Sequence, residues 1–179
     1  MSALYIISVD APDDIDLLAL SEALSYCFEM ESRIGPSTVD PEFAYDPARG
    51  QYHSTEVLAA LLRNQPEGSV KMLGVTDVDL FIPILTFVFG EAQLNGPAAL
   101  VSTHRLRNQF YGLPKDGALL QGRLEKEAIH EMAHTFGLVH CLDQTCVLNS
   151  STYVENIDLK GKALCIPCRE VLASKKTRA

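Results

Sequence analysis

The chain has 179 residues, 47% of them hydrophobic, enough for one domain with a real core that needs no disulfide staples. Its formal net charge of −8 argues against nucleic acid or an anionic membrane as the main partner and weakly favours neutral or basic substrates. The basic tail Ser174–Ala179 is short and reads as a solvated end.

The apolar run Ala3–Ile7 is too short for a signal-peptide core, has no basic flank before it and is followed by acids. No later segment reaches the ~18 apolar residues that a membrane helix needs. A cytoplasmic protein is therefore expected. In that reducing setting, clustered cysteines are metal ligands sooner than disulfides.

In chain order, Leu4–Val9 is a β-branched apolar run ending at Asp10-Ala11-Pro12 and predicts a buried strand. Ile15, Leu18, Ala19, Leu24 and Phe28 follow helical spacing between 15 and 31, with Asp13 and Asp14 near the start. Residues 35–53, rich in Pro, Asp and Gly, predict loop, and a short helix follows over 56–64. A strand is expected in 69–81, a second over Ile84–Gln93 and a third over Ala98–Thr103. The turn Asn95-Gly96-Pro97 joins the last two as an antiparallel hairpin. From Gly122 the period becomes helical: Leu124, Ala128, Met132 and Phe136 form a buried stripe, and the helix should stop at Gly137. The rest is irregular up to a short helix around Arg169–Ala173. This order predicts a mixed α/β (α+β) fold.

Three of the five histidines lie on and just after that helix. His130 and His134, four residues apart, sit one turn above each other with Cβ atoms roughly 5–6 Å apart, so both imidazoles reach one ion. Glu131 is rotated about 100° round the helix and cannot share their coordination position, but it reaches a water beside them. Two ligands plus a general base is the logic of H-E-x-x-H. A catalytic zinc also needs a third protein ligand and an open position. His140 is the candidate, because Gly137 can take the left-handed conformation and reverse the chain toward the ion. The full string His130-Glu131-x-x-His134-x-x-Gly137-x-x-His140 arises by chance with odds on the order of one in ten thousand or less at average residue usage.

This string resembles the zinc-binding signature of metzincin metalloproteases. With Cys141 directly after the third histidine, then Cys146 and Cys165-x-x-Cys168, it is similar to the archaemetzincins (archaelysins). The resemblance covers residues 130–168 in detail, and the preceding element order suits a metzincin upper subdomain. It implies a metzincin-like mixed sheet with packed helices, and a cleft between an upper part, 1–137, and a small C-terminal part, 138–179. It also implies that the strand near Thr86–Gln93 is the edge that pairs with an extended peptide. One departure stands out. Metzincins carry a methionine turn beneath the metal, and archaemetzincins place it as Cys-x-Met; here the string is Cys146-Val147-Leu148, and the last methionine is Met132. Leu148 matches methionine in volume but offers no polarisable sulfur.

Cys141, Cys146, Cys165 and Cys168 form two thiolate hooks separated by a loop, the pattern of a closed tetrahedral structural zinc site. Two zinc ions per chain follow, one catalytic and one structural, with the second supplying folding energy to the C-terminal part. Cys27, in the apolar part of the first helix, reads as a buried inert thiol. Tyr153 is in range of the switchable tyrosine ligand of some metzincins, but a packed or surface tyrosine is the plainer reading. His53 and His104 read as hydrogen-bonded or solvated histidines.

The favoured function is a zinc-dependent metallopeptidase acting on a peptide or protein substrate, with Glu131 as general base. The alternatives are a non-catalytic zinc-stabilised binding module derived from a protease, against which the intact Glu131 argues, and a zinc hydrolase of non-peptide amides.

Overall fold

The computed structural model describes residues 3–37 and 39–176; Thr177–Ala179, the end of the basic tail, lie outside the described residues. In chain order the elements are β1 (Ala3–Ser8), α1 (Leu17–Phe28), β2 (Ser32–Gly35), β3 (Tyr45–Asp46), β4 (Gln51–His53), α2 (Ser54–Arg63), β5 (Ser69–Thr76), β6 (Leu80–Phe81), β7 (Gly90–Ala92), β8 (Ala98–Ser102), α3 (Gly117–Thr135), α4 (Val154–Leu159) and α5 (Ile166–Lys176). The main sheet has the order β2-β1-β5-β8-β7, and a small sheet has the order β3-β4-β6. β1 is parallel to β2 and β5, and β5 is parallel to β8. β7 is antiparallel to β8 at the edge. The fold is therefore mixed α/β, as expected.

The near-continuous apolar run of β1 is explained by burial on both faces. Leu4 and Ile6 point into a core shared with Leu20, Leu24 and Phe28 of α1 and with Leu124, Ala128 and Met132 of α3. Ile7 and Val9 point the other way, against Val57, Leu58 and Leu61 of α2. β8 alternates likewise, with Ala99 and Val101 on the α1/α3 side and Ala98 and Leu100 on the α2 side. Gly74 in β5 lets α2 approach: a Cβ there would lie 2.5 Å from Leu61 Cδ1 and 2.9 Å from Leu100 Cδ1. Each leucine fully buried in these layers stabilises the fold by roughly 1.5–3 kcal/mol.

α1 ends at Phe28, the last residue of its apolar pattern and three short of the expected limit at 31, because Glu29 takes the left-handed conformation; its start is capped by Asp16, which accepts from Leu18 and Ala19. α3 begins at Gly117, five residues before Gly122, because Asp116 accepts from the Leu119 N–H and caps it there. The stripe Leu124, Ala128, Met132 is fully buried, and Phe136 stacks on Phe28 at 5.1 Å.

Several expectations change in the structure. The strand expected over Ile84–Gln93 shrinks to Gly90–Ala92. Upstream of it, the carbonyls of Leu85 and Thr86 accept from the Arg49 guanidinium, and Thr86 also accepts from Gln51 Nε2. These side chains take the place of a neighbouring strand. The irregular stretch after Gly137 contains α4, whose start is capped by Asn156 Oδ1 accepting from the N–H groups of Thr152 and Tyr153. The expected loop over 35–53 also holds β3 and β4. Among the described residues no helix is long and apolar enough to cross a membrane.

Candidate active site and metal centres

His130 and His134 project from α3 with their Nε2 atoms 3.1 Å apart. His130 Nδ1 lies 2.9 Å from the Val147 carbonyl and His134 Nδ1 lies 2.8 Å from the Leu138 carbonyl. A carbonyl can only accept, so both Nδ1 atoms carry the proton and both Nε2 lone pairs face inward. The helix ends as its glycine demands: Gly137 has φ +82°, its N–H donates to His134 O, and Leu138 N–H donates to Ala133 O. The reversal brings His140 in. The three ring centroids stand 4.8, 5.2 and 5.0 Å apart, and one ligand atom from each ring lies within 4.8 Å of the others. A tetrahedral zinc with Zn–N of about 2.0–2.1 Å requires N–N edges of about 3.3–3.4 Å. The donor set fits that ion.

The hairpin of β7 and β8 is fastened to the same helix end. Asn95 N–H donates to His134 O at 2.9 Å. Lys71 Nζ donates to Thr135 O at 2.7 Å and to Gly96 O at 2.9 Å. These bonds satisfy carbonyls that a helix terminus leaves open.

Glu131 is buried and lies beside the histidines at the base of a cleft of about 300 Å³. One wall is the segment Leu85–Gly90, the other is Ser150–Thr152, and Glu127, His130 and His140 complete the lining. Gly90 packs on the Glu131 side chain: a Cβ there would stand 2.7 Å from Glu131 Cγ and 3.1 Å from Cδ. Burial pushes the Glu131 carboxyl well above the usual range, and the neighbouring Glu127 adds to the rise. Burial pulls His130 down to about 3, with Lys160 contributing, and burial also lowers His134. Both imidazoles are therefore neutral at neutral pH, the form that binds a metal.

The four clustered cysteines also converge. Their sulfur atoms all lie within 4.8 Å of one another, and Cys141 Sγ is 3.7 Å from Cys165 Sγ. A tetrahedral zinc with Zn–S of about 2.3 Å has S–S edges of about 3.8 Å. None of the five cysteines is in a disulfide. The two centres are joined through the backbone at the adjacent His140 and Cys141, and Cys141 is held there by its N–H donating to Leu148 O and by the Asn149 side-chain Nδ2 donating to Cys141 O. Leu148 is fully buried in the core beneath.

The other candidates lie elsewhere. Tyr153 is 65% exposed and does not line the cleft. His53 packs edge-on against Phe81, and His104 packs against Phe110 with Nδ1 3.0 Å from Asp77 O. Cys27 packs against the core, and burial pushes its thiol up to about 11, so it is inert at neutral pH. Three residues of the site carry no mark in the motif: Gly90, Glu127 and Lys160. Glu127 does have a sequence signal, since it stands four residues before Glu131 on the same helix face. Nothing in the local sequence marks Lys160.

The sequence profile of peptidase family M54 matches residues 42–174. The archaemetzincin of Methanocaldococcus jannaschii is 42% identical over 163 residues, covering 91% of this chain and 88% of that one. The archaemetzincin of Pyrococcus furiosus is 36% identical over 176 residues, covering 94% and 91%. The crystal structure of archaemetzincin from Methanopyrus kandleri matches with a TM-score of 0.85 at 34% identity, over 99% of this chain and 96% of that one. That of a zinc-dependent peptidase from Methanocorpusculum labreanum matches with a TM-score of 0.85 at 31% identity, over 95% and 100%.

Proposed function

The chain belongs to peptidase family M54, the archaemetzincins, and is a zinc metallopeptidase acting on a peptide or protein substrate; from that premise we propose that Glu131 is its general base and that it carries two zinc ions with different tasks. The observation that carries this reading is the convergence of three inward-facing imidazoles beside a buried carboxylate at the base of an open cleft. A zinc ion held by His130, His134 and His140 would supply Lewis acidity toward a peptide carbonyl and lower the pKa of a water toward ~7.

The chain's own groups do the rest. Glu131 accepts a proton from the attacking water and returns it to the leaving amine. Its buried setting favours this, because a carboxyl whose pKa is raised by burial takes up a proton more readily than a solvated one. His130 and His134 are held in the correct tautomer by Val147 and Leu138, so no reorganisation is needed when an ion binds. β7, at the sheet edge, offers backbone groups to an extended peptide, and pairing of that kind gives affinity with little sequence choice. Residues 1–137 form the upper part. Residues 138–179 form the lower part, organised by a structural zinc on Cys141, Cys146, Cys165 and Cys168. A reducing cytoplasm would keep those thiols available.

Glu131→Gln tests the assignment. It keeps shape and hydrogen bonding but cannot take a proton at neutral pH. Zinc content should be unchanged and peptide binding retained, while turnover of a mixed peptide library falls by at least ~10²–10⁴-fold. A wild-type protein that binds peptides yet cleaves none would replace this reading with a binding module. Cleavage undiminished in the variant would remove Glu131 from the mechanism.

A further inference from the structure

We propose that Lys160 is a positioning residue of the catalytic centre: its buried ammonium bolts the active-site helix to the turn that orients His130. The inference rests on the reading of His130 as a metal ligand.

Lys160 follows α4 and is 2% exposed. Its Nζ is 2.7 Å from Glu127 Oε1, and Glu127 is itself buried on α3, one turn before Glu131. The same Nζ donates to the Asn149 carbonyl at 3.2 Å and lies 3.4 Å from His130 Nδ1. His130 spends its Nδ1 proton on Val147 O, so this last approach is packing; the ammonium donates to the turn at Asn149 O and is held to the helix by its charge, as an ion pair with Glu127 that lacks hydrogen-bond geometry.

The turn in question is Cys146–Asn149, closed by Asn149 N–H donating to Cys146 O at 2.9 Å. It does three things for the site. Val147 O orients His130. Leu148 O accepts from Cys141 N–H, which tethers the residue next to His140. The Leu148 side chain, at the position of the methionine turn, is fully buried in the core that carries α3. Glu127 and Asn149 belong to two separate elements that both bear on His130, and Lys160 reaches both.

Stability is a poor explanation for this lysine. A buried ion pair is often no better than apolar residues of the same volume, because desolvation offsets the attraction. An ammonium with partners on two elements gives something an apolar side chain cannot, a link between helix and turn made of an ion pair to Glu127 and a hydrogen bond to Asn149 O. Lys160 is not placed to touch substrate; it acts through His130 and the turn.

The test separates geometry from stability. In Lys160→Met/Glu127→Leu both charges go, so the thermal melt should stay near wild type. The chelator-labile zinc should bind ~10–100-fold more weakly, the usual cost of losing a group that orients a metal-ligating histidine. The four-cysteine zinc, measured in the same sample, should be unaffected. Peptide turnover should show a lower kcat at unchanged KM. Labile zinc held within about threefold of wild type, well short of that 10–100-fold loss, would overturn the proposal. If the double variant does not fold, Glu127→Gln decides. It keeps the shape of Glu127 but removes the charge that holds Lys160 to the helix, so labile-zinc affinity should fall about tenfold or more with the four-cysteine zinc unaffected, and an affinity within about threefold of wild type would overturn the idea. Wild type is the control: absence of labile zinc there would defeat the three-histidine reading itself, whereas tight labile zinc in wild type and double variant alike would defeat only the role of Lys160.

Discussion

Gly90→Ala should disable the enzyme without removing its metal. The added Cβ would stand 2.7 Å from Glu131 Cγ, 3.1 Å from Glu131 Cδ and 2.6 Å from Leu100 O. Ordinary carbon contacts are about 3.5–4.0 Å, so about 1 Å must be absorbed. β8 cannot yield easily, because Leu100 is fully buried and β8 is held between β5 and β7. The displacement therefore falls on the edge strand and on Glu131. A reacting group moved by about 1 Å costs about 10²-fold in rate. The overpacking should cost about 1–3 kcal/mol in stability, more than the few tenths to 1 kcal/mol that replacing a glycine returns through the unfolded chain. The three atoms nearest to the new methyl group belong to Glu131 and Leu100 and to none of the histidines, so zinc content should not change. The assay is kcat/KM on a cleaved peptide, with elemental analysis and a melt on the same preparation. Wild-type activity with an unshifted melt would show that Glu131 is not held by this contact.

Three further outcomes follow from the two centres and the surface. Protein purified without chelator should contain two zinc ions per chain, and mild chelation should abolish activity before it lowers the melt, since only the three-histidine site leaves a coordination position open; a ratio near one, or joint loss of both ions, would break the division. Cys165→Ser should lower the melting temperature far more than Glu131→Ala, because it opens the closed site that organises residues 138–179, and equal melts would refute separate structural and catalytic roles. Asp14, hydrogen-bonded to Arg107 and Lys115, has its carboxyl held far below the usual range. A depressed carboxyl stabilises the fold above its unfolded pKa of about 3.9, and that contribution is lost as pH falls below it toward the folded value. Asp14→Asn should therefore melt lower at pH 7, with the gap to wild type narrowing below about pH 4; a gap constant down to pH 3 would rule out the linkage.

Much of the site is legible in one dimension because helix geometry is local. A four-residue spacing puts His130 and His134 on one face, and the glycine at 137 is the residue type that reverses a chain at a helix end, so the third histidine can be named before any fold is known. The cysteine hooks are legible for the same reason, since each pair is close in sequence. The buried stripe of α3 and the β7–β8 hairpin follow from periodicity and turn chemistry. What the tertiary structure decided is everything that depends on contacts between distant segments. The stretch 84–87 has strand-like composition, yet the carbonyls of Leu85 and Thr86 are bound by side chains of Arg49 and Gln51 and not by a neighbouring strand. Gly90 looks like an interruption of that strand until its packing on Glu131 is seen, far away in sequence and adjacent in space. Lys160 carries no mark in the sequence, and only the docking of residues 146–160 onto α3 buries its ammonium against Glu127 and Asn149. Local spacing writes ligands into a sequence; the groups that orient those ligands are chosen by packing, and packing has no period.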